Sequence, residues 1–231
     1  MSQQGYVILS LVYRSEHRTV RGKFIVIEGP DGTGKTTQAR ALSEALSTAG
    51  YVVEHVREPG GCPSSERIRA LLVEGEPGDL LNWTEALLMN AARHELVERV
   101  IRPALAAGRW VVCDRYYHST LAYQGGGLGL DTQRLNALIE MATDGLEPDL
   151  LLAFSLSAED ALSRARARED EEKRFEARED SYHARVRAAY TQVLRDASTR
   201  GTVVNIDASG SVDAVHRRVL DAIVGQFEGA L

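Results

Sequence analysis

Two kinds of apolar run alternate along this chain. Short, β-branched-rich stretches predict strands at Phe24–Glu28 (FIVIE), Tyr51–Arg57, Trp110–Cys113, Asp149–Phe154 and Thr202–Ile206. Between them, apolar residues recur every three or four positions, the spacing of one helical face. Lys35–Gly50 carries Ala39, Leu42, Leu46 and Ala49 in this way, with Gly50 as its stop. The same pattern predicts helices over Glu66–Glu74, Thr84–Ala107, Thr132–Thr143, Ala158–Arg168, Tyr182–Ser198 and Val212–Phe227. Ser157 with Asp160, and Ser211, stand where helix caps belong. Strands that alternate with helices need crossover connections, and these make the strands parallel. The expected fold is a single α/β domain, a five-stranded parallel sheet flanked by helices.

Composition narrows the class. The 231 residues are 44% hydrophobic and 26% charged, the make-up of an ordinary globular domain. Asp and Glu number 33 against 27 Lys and Arg, a net charge of -6 that argues against a nucleic-acid or membrane-surface partner. The two cysteines, Cys62 and Cys113, cannot build a disulfide framework, which points to the reducing cytoplasm. Tyr6–Tyr13 is apolar but much shorter than the roughly 20 residues of a membrane helix. No positive charge precedes it, and no small-residue cleavage site follows before Glu16. Residues 1–21 are expected to be a dispensable extension, and 22–231 one domain without internal repeats.

Directly after FIVIE comes Gly29-Pro30-Asp31-Gly32-Thr33-Gly34-Lys35-Thr36, followed by Thr37. This is GxxxxGK[ST] between a predicted strand and a predicted helix, the setting of a phosphate-binding P-loop. Its glycines let backbone N–H groups curl around phosphate oxygens, and the helix behind adds its positive end. Lys35 supplies a cation for the β- and γ-phosphates of ATP, and the Thr36 hydroxyl a ligand for Mg2+. No NKxD sequence occurs, which disfavours a GTPase. A second acid, Asp114, ends the strand Trp110–Cys113 and is a second candidate Mg2+ ligand; Arg115 follows it at once. That arginine either grips a second phosphate or forms a structural ion pair with Asp114.

Several ordered motifs resemble the bacterial thymidylate kinases from about Lys23 onward. They are GPDGTGKTTQ, Arg57-Glu58-Pro59-Gly60-Gly61, Thr84-Glu85-Ala86-Leu87-Leu88, and Asp114-Arg115-Tyr116 leading to Leu121-Ala122-Tyr123-Gln124-Gly125. The resemblance implies a P-loop NTPase fold, a homodimer, and transfer of the γ-phosphate of ATP to dTMP. It puts Arg69 and Arg115 around the dTMP phosphate, Arg93 and Gln124 at the thymine edge, and Thr120 near the base. Asp31 is expected near the acceptor's sugar, and Glu58 and Asp114 near metal and acceptor. Met89 stands where relatives usually carry an aromatic that stacks on thymine. From the residues alone, Gln124 could equally cap or turn the chain before three glycines.

Arginines and acids interleave from Arg164 to Arg187. Such a run is either a solvated helix face or a mobile lid at about 168–180. Lys173-Arg174-Phe175-Glu176 resembles the family's lid motif, which makes Arg168 and Arg174 the expected catalytic arginines beside Lys35, Asp114 and Arg115. A kinase for another nucleoside or nucleotide, and a non-catalytic ATP-dependent switch, are the alternative readings.

Overall fold

All five predicted strands pair in one parallel sheet. They are β1 (Phe24–Glu28), β2 (Val53–Arg57), β3 (Trp110–Asp114), β4 (Leu150–Ser155) and β5 (Val203–Asp207), in the order β2-β3-β1-β4-β5. The computed structural model describes residues 21–157, 160, 178–199, 201–227 and 231. The predicted helix Ala158–Arg168, apart from Asp160, lies outside them, as do Arg168, Arg174 and residues 1–20.

β1 is buried along its whole length, so it needs apolar residues on both faces and shows no alternation. Ile25 and Ile27 pack with Val112, Leu152 and Phe154 against α1 (Lys35–Thr48) and α8 (Val212–Gln226). Phe24 and Val26 point the other way, with Val111 and Cys113, onto α3 (Asn82–Leu96) and its continuation. Truncating one of these fully buried side chains to alanine costs about 2–5 kcal/mol in cores of this kind. At the amino ends of the strands Asp149 accepts from Phe24 N at 2.7 Å and pairs with Arg21 at 2.7 Å. The last residue of the predicted extension is thus tied to the sheet.

The remaining helices are α2 (Pro63–Val73), α4 (Arg102–Ala106), α5 (Tyr117–Thr120), α6 (Thr132–Thr143) and α7 (Asp180–Ala197). Ser211 caps α8 as predicted, accepting from Ala214 N at 3.2 Å, and Ser157 Oγ accepts from Asp160 N at 3.1 Å. α2 begins earlier than predicted because Pro63 suits a first helical turn, where no partner awaits its missing N–H. The expected single helix Thr84–Ala107 is interrupted by a π-turn at Val97–Ile101, just before Pro103 removes an amide donor from the ladder.

One helix was not expected. α5 runs on through a π-helical turn, Leu121–Gly127, so Gln124 lies within a helix and does not cap or end one. The glycines there serve packing. A Cβ on Gly126 would lie 2.2 Å from the Ala189 Cβ, and one on Gly127 would lie 2.5 Å from the Tyr182 ring. Their absence lets α7 lie directly on this turn. Among the described residues, no helix is long and apolar enough to cross a membrane.

Candidate active site

The strand order reverses on either side of β1, and sheets of this type take ligands at the carboxyl ends beside such a switch. Register sets Ile27 beside Asp114, so the segments leaving β1 and β3 start as neighbours. The chain leaves β1 at Gly29 with φ 148°, and a Cβ there would meet the Phe154 carbonyl at 2.5 Å. Gly34, at φ 83°, precedes the first turn of α1, whose leading N–H groups lack intrahelical partners.

Lys35 folds back across this loop, its Nζ donating to the Pro30 carbonyl at 2.8 Å. Burial, with help from Arg115, pushes its ammonium down to about 8, against the pull of Asp31, Asp114 and Glu28. A buried cation with so little compensation awaits an anion. The Thr36 hydroxyl donates to Asp114 Oδ2 at 2.6 Å. The other oxygen, Asp114 Oδ1, is buried with no hydrogen-bond partner. An orphaned carboxylate oxygen beside a hydroxyl fits a hard divalent cation. Among the described residues no cluster of three His, Cys, Asp or Glu could hold a metal unaided. Magnesium characteristically takes one or two carboxylates and draws its other ligands from phosphate and water.

Arg115 has φ 72°, a left-handed backbone costly for a residue with a side chain. Its carboxylate partner is Asp31 of the phosphate loop, not the adjacent Asp114, so the structural pair between neighbours is not formed. The guanidinium also donates to Ser119 Oγ at 3.0 Å and Tyr190 OH at 2.8 Å, and lies over the Tyr123 ring. Burial works to raise the Asp31 carboxyl, but Arg115, Lys35 and the Tyr123 hydroxyl together hold it below its ordinary value.

Behind this group lies a network the sequence reading missed. Glu28, fully buried, accepts from Tyr116 N at 2.8 Å, Ser119 N at 3.0 Å, Ser119 Oγ at 2.9 Å and Tyr190 OH at 3.1 Å. An acid closing an otherwise apolar strand was the available signal for Glu28. Tyr190 comes from α7 and had no local signal.

The residues expected at the acceptor converge on one cleft. Asp31, Glu58, Met89, Arg93, Arg115, Thr120 and Gln124 all line it. Arg69 stands at its rim, donating to the carbonyl of Pro59, which itself lines the cleft. The Glu58–Pro59 peptide is cis. Arg93, 2% exposed, pairs with Glu58 Oε2 at 2.8 Å and donates to Asn90 Oδ1 at 2.7 Å and Thr120 Oγ1 at 3.0 Å. Met89 precedes Arg93 by one helical turn and covers part of the same wall. Gln124 donates to Glu85, which also binds Arg178.

Burial raises the Glu58 carboxyl from 4.5 to about 7, although Arg93 opposes the shift. The folded protein therefore holds a proton that the unfolded chain releases between these values. Stability is fully present below pH 4.5 and falls as pH rises through the window, by up to about 3 kcal/mol from this group. Urea unfolding should show wild type losing more stability than Glu58→Gln between pH 5 and 7.5. Equal losses would mean Glu58 does not carry the shift.

A phosphate loop and an anion-ready cleft, joined at Asp31 and Arg115, define a P-loop phosphotransferase of the nucleotide-kinase class. Comparison with known proteins narrows this. The profile of the thymidylate kinase family matches residues 27–219. Thymidylate kinase of Magnetococcus marinus is 44% identical over 208 residues, covering 90% of this chain and 98% of the relative. That of Caulobacter vibrioides is 45% identical over 204 residues, 88% and 97% of the two chains. That of an Exiguobacterium species is 39% identical over 207 residues, 90% and 96%. The chain belongs to the thymidylate kinase family, and it is an enzyme.

Proposed function

We propose that the chain transfers the γ-phosphate of ATP to dTMP, giving dTDP, with the phosphate loop as donor site and the cleft as acceptor site. One observation carries this arrangement: Arg115 lines the cleft while bonding to Asp31 of the phosphate loop. Donor and acceptor phosphates would meet across that pair.

Residues Gly29 to Thr37 cradle the donor. Thr36 and Asp114 would hold Mg2+, which when bound neutralises charge on the phosphates. Lys35 draws negative charge from the donor, and Arg115, with Arg69 at the rim, grips the acceptor phosphate. The attacking phosphate oxygen is already largely deprotonated near neutral pH, so alignment and charge neutralisation suffice without a strong base. Arg93 and Gln124 face the thymine edge, with Thr120 beside them and Met89 over the ring. Asp31 approaches the sugar, and Glu58 holds Arg93 in place.

We assign Arg168 and Arg174 to a lid over the transferring phosphoryl group, on the resemblance of their motif alone. We further read 22–231 as one kinase domain, acting as a cytoplasmic homodimer. The exposed Leu71, Leu87 and Met141, on the adjoining helices α2, α3 and α6, support the dimer.

Arg115→Ala tests the acceptor site. Losing its charge-assisted hydrogen bonds, worth about 3 kcal/mol, should lower kcat/KM for dTMP on the order of 10²-fold. ATP affinity, measured by calorimetry, should change far less. Equal losses for both nucleotides would contradict the assignment.

A further inference from the structure

Glu85 is a wholly buried carboxylate on α3 that bonds to Gln124 and Arg178. Its Oε1 accepts from Gln124 Nε2 at 2.9 Å, and its Oε2 accepts from Arg178 Nη2 at 2.6 Å. A carboxylate can only accept hydrogen bonds, so the 1% exposed Gln124 amide is held with its NH2 group on Glu85. No described residue donates to the amide's other end, the carbonyl Oε1. Gln124 lines the acceptor cleft together with Arg93. Fixed in this way, the amide offers the cleft an acceptor, while Arg93 keeps one Nη1 N–H beyond the one it gives Asn90.

We propose that Glu85 is a positioning residue that sets base selectivity by locking the orientation of Gln124. The locked pair complements a pyrimidine with an N3–H donor beside a 4-oxo acceptor. A 4-amino pyrimidine presents the reverse pattern. Its bare N3 would face Oε1 as acceptor against acceptor, and its amino group would face the arginine as donor against donor. Buried polar groups left mismatched discriminate far better than shape does. Arg178 compensates the buried Glu85 charge, so that the lock can sit away from water. The inference rests on the dTMP reading and deepens it, from which acceptor is taken to how thymine is told from cytosine.

Glu85→Gln is the test, because a glutamine can donate as well as accept and so frees the Gln124 amide to turn. Steady-state kinetics with dTMP and dCMP should show wild type strongly preferring dTMP. In the variant, KM for dTMP should rise about tenfold, KM for ATP should hold, and the dTMP:dCMP ratio of kcat/KM should fall about tenfold or more. A parallel loss on both acceptors, with the ratio unchanged, overturns the proposal and leaves Glu85 a structural residue. Should Glu85→Gln fail to fold, Glu85→Asp keeps the charge for Arg178 but withdraws it from Gln124. A wild-type ratio in folded Glu85→Asp would overturn the proposal equally. The wild-type arm separates the two levels: no preference for dTMP there defeats the acceptor reading itself, and this inference with it.

Discussion

Lys35→Ala should lower kcat by about 10³-fold or more while leaving the protein folded. Phosphoryl transfer asks little covalent chemistry of a protein, so most of the acceleration comes from placing positive charge where negative charge gathers. Lys35 is the cation of the phosphate loop, 5% exposed, in surroundings that disfavour its charge until an anion arrives. A loss of 10³-fold corresponds to about 4 kcal/mol of transition-state stabilisation, the scale of one well-placed charged group in a water-poor site. The stability prediction has the opposite sign. Removing a poorly compensated buried ammonium relieves desolvation, so thermal unfolding of the nucleotide-free variant should occur at or above the wild-type midpoint. Turnover near the wild-type level would remove Lys35 from the donor site.

Arg93→Ala should be the most destabilising single change at the site, costing about 3–5 kcal/mol in urea unfolding near neutral pH. The guanidinium is buried and gives most of its donors to Glu58, Asn90 and Thr120. Its removal leaves Glu58, 6% exposed and already pushed up to about 7, without the guanidinium that opposes that shift. Glu58 would then take up a proton at neutral pH, and the Asn90 carbonyl would lose its partner. The damage comes from the buried polar groups left behind, a Glu58 that must be protonated and an Asn90 carbonyl without its donor. Replacing both members of the pair with apolar residues, Arg93→Met with Glu58→Met, should therefore recover much of the stability and none of the dTMP turnover. A loss below about 1 kcal/mol in Arg93→Ala would mean that the pair is solvated in solution.

What the sequence made legible follows from the range of the forces involved. Strands and most helices announce themselves locally: FIVIE is apolar throughout because β1 is covered on both faces, and Thr132–Thr143 agrees to the residue because its own spacing and the Asp131 cap define it. The phosphate loop is equally local, since its glycines answer to backbone geometry within a few residues. Gly125-Gly126-Gly127 misled for the converse reason. Glycines usually mark turns, but two of these are small to admit Ala189 and Tyr182 from α7, far along the chain. The network of Glu28, Ser119, Tyr190 and Arg115 joins three separate segments, so no one stretch carries its pattern. The residues that resemblance to relatives assigned to the acceptor line one cleft, apart from Arg69, which bonds to Pro59 in its wall. The resemblance did not indicate that Arg115 bonds to Asp31 in place of Asp114, which depends on the left-handed backbone at Arg115.

One cleft, in this reading, accepts dTMP by both its phosphate and its base, directly opposite bound ATP. The most direct test is acceptor-stimulated ADP release with ATP and Mg2+, across dTMP, dUMP, dGMP, dCMP, AMP and thymidine. The largest kcat/KM is expected with dTMP, and no stimulation by thymidine, which lacks the phosphate that Arg115 would grip. Stronger turnover on a purine nucleotide or dCMP, or ADP release indifferent to every acceptor, would contradict this reading.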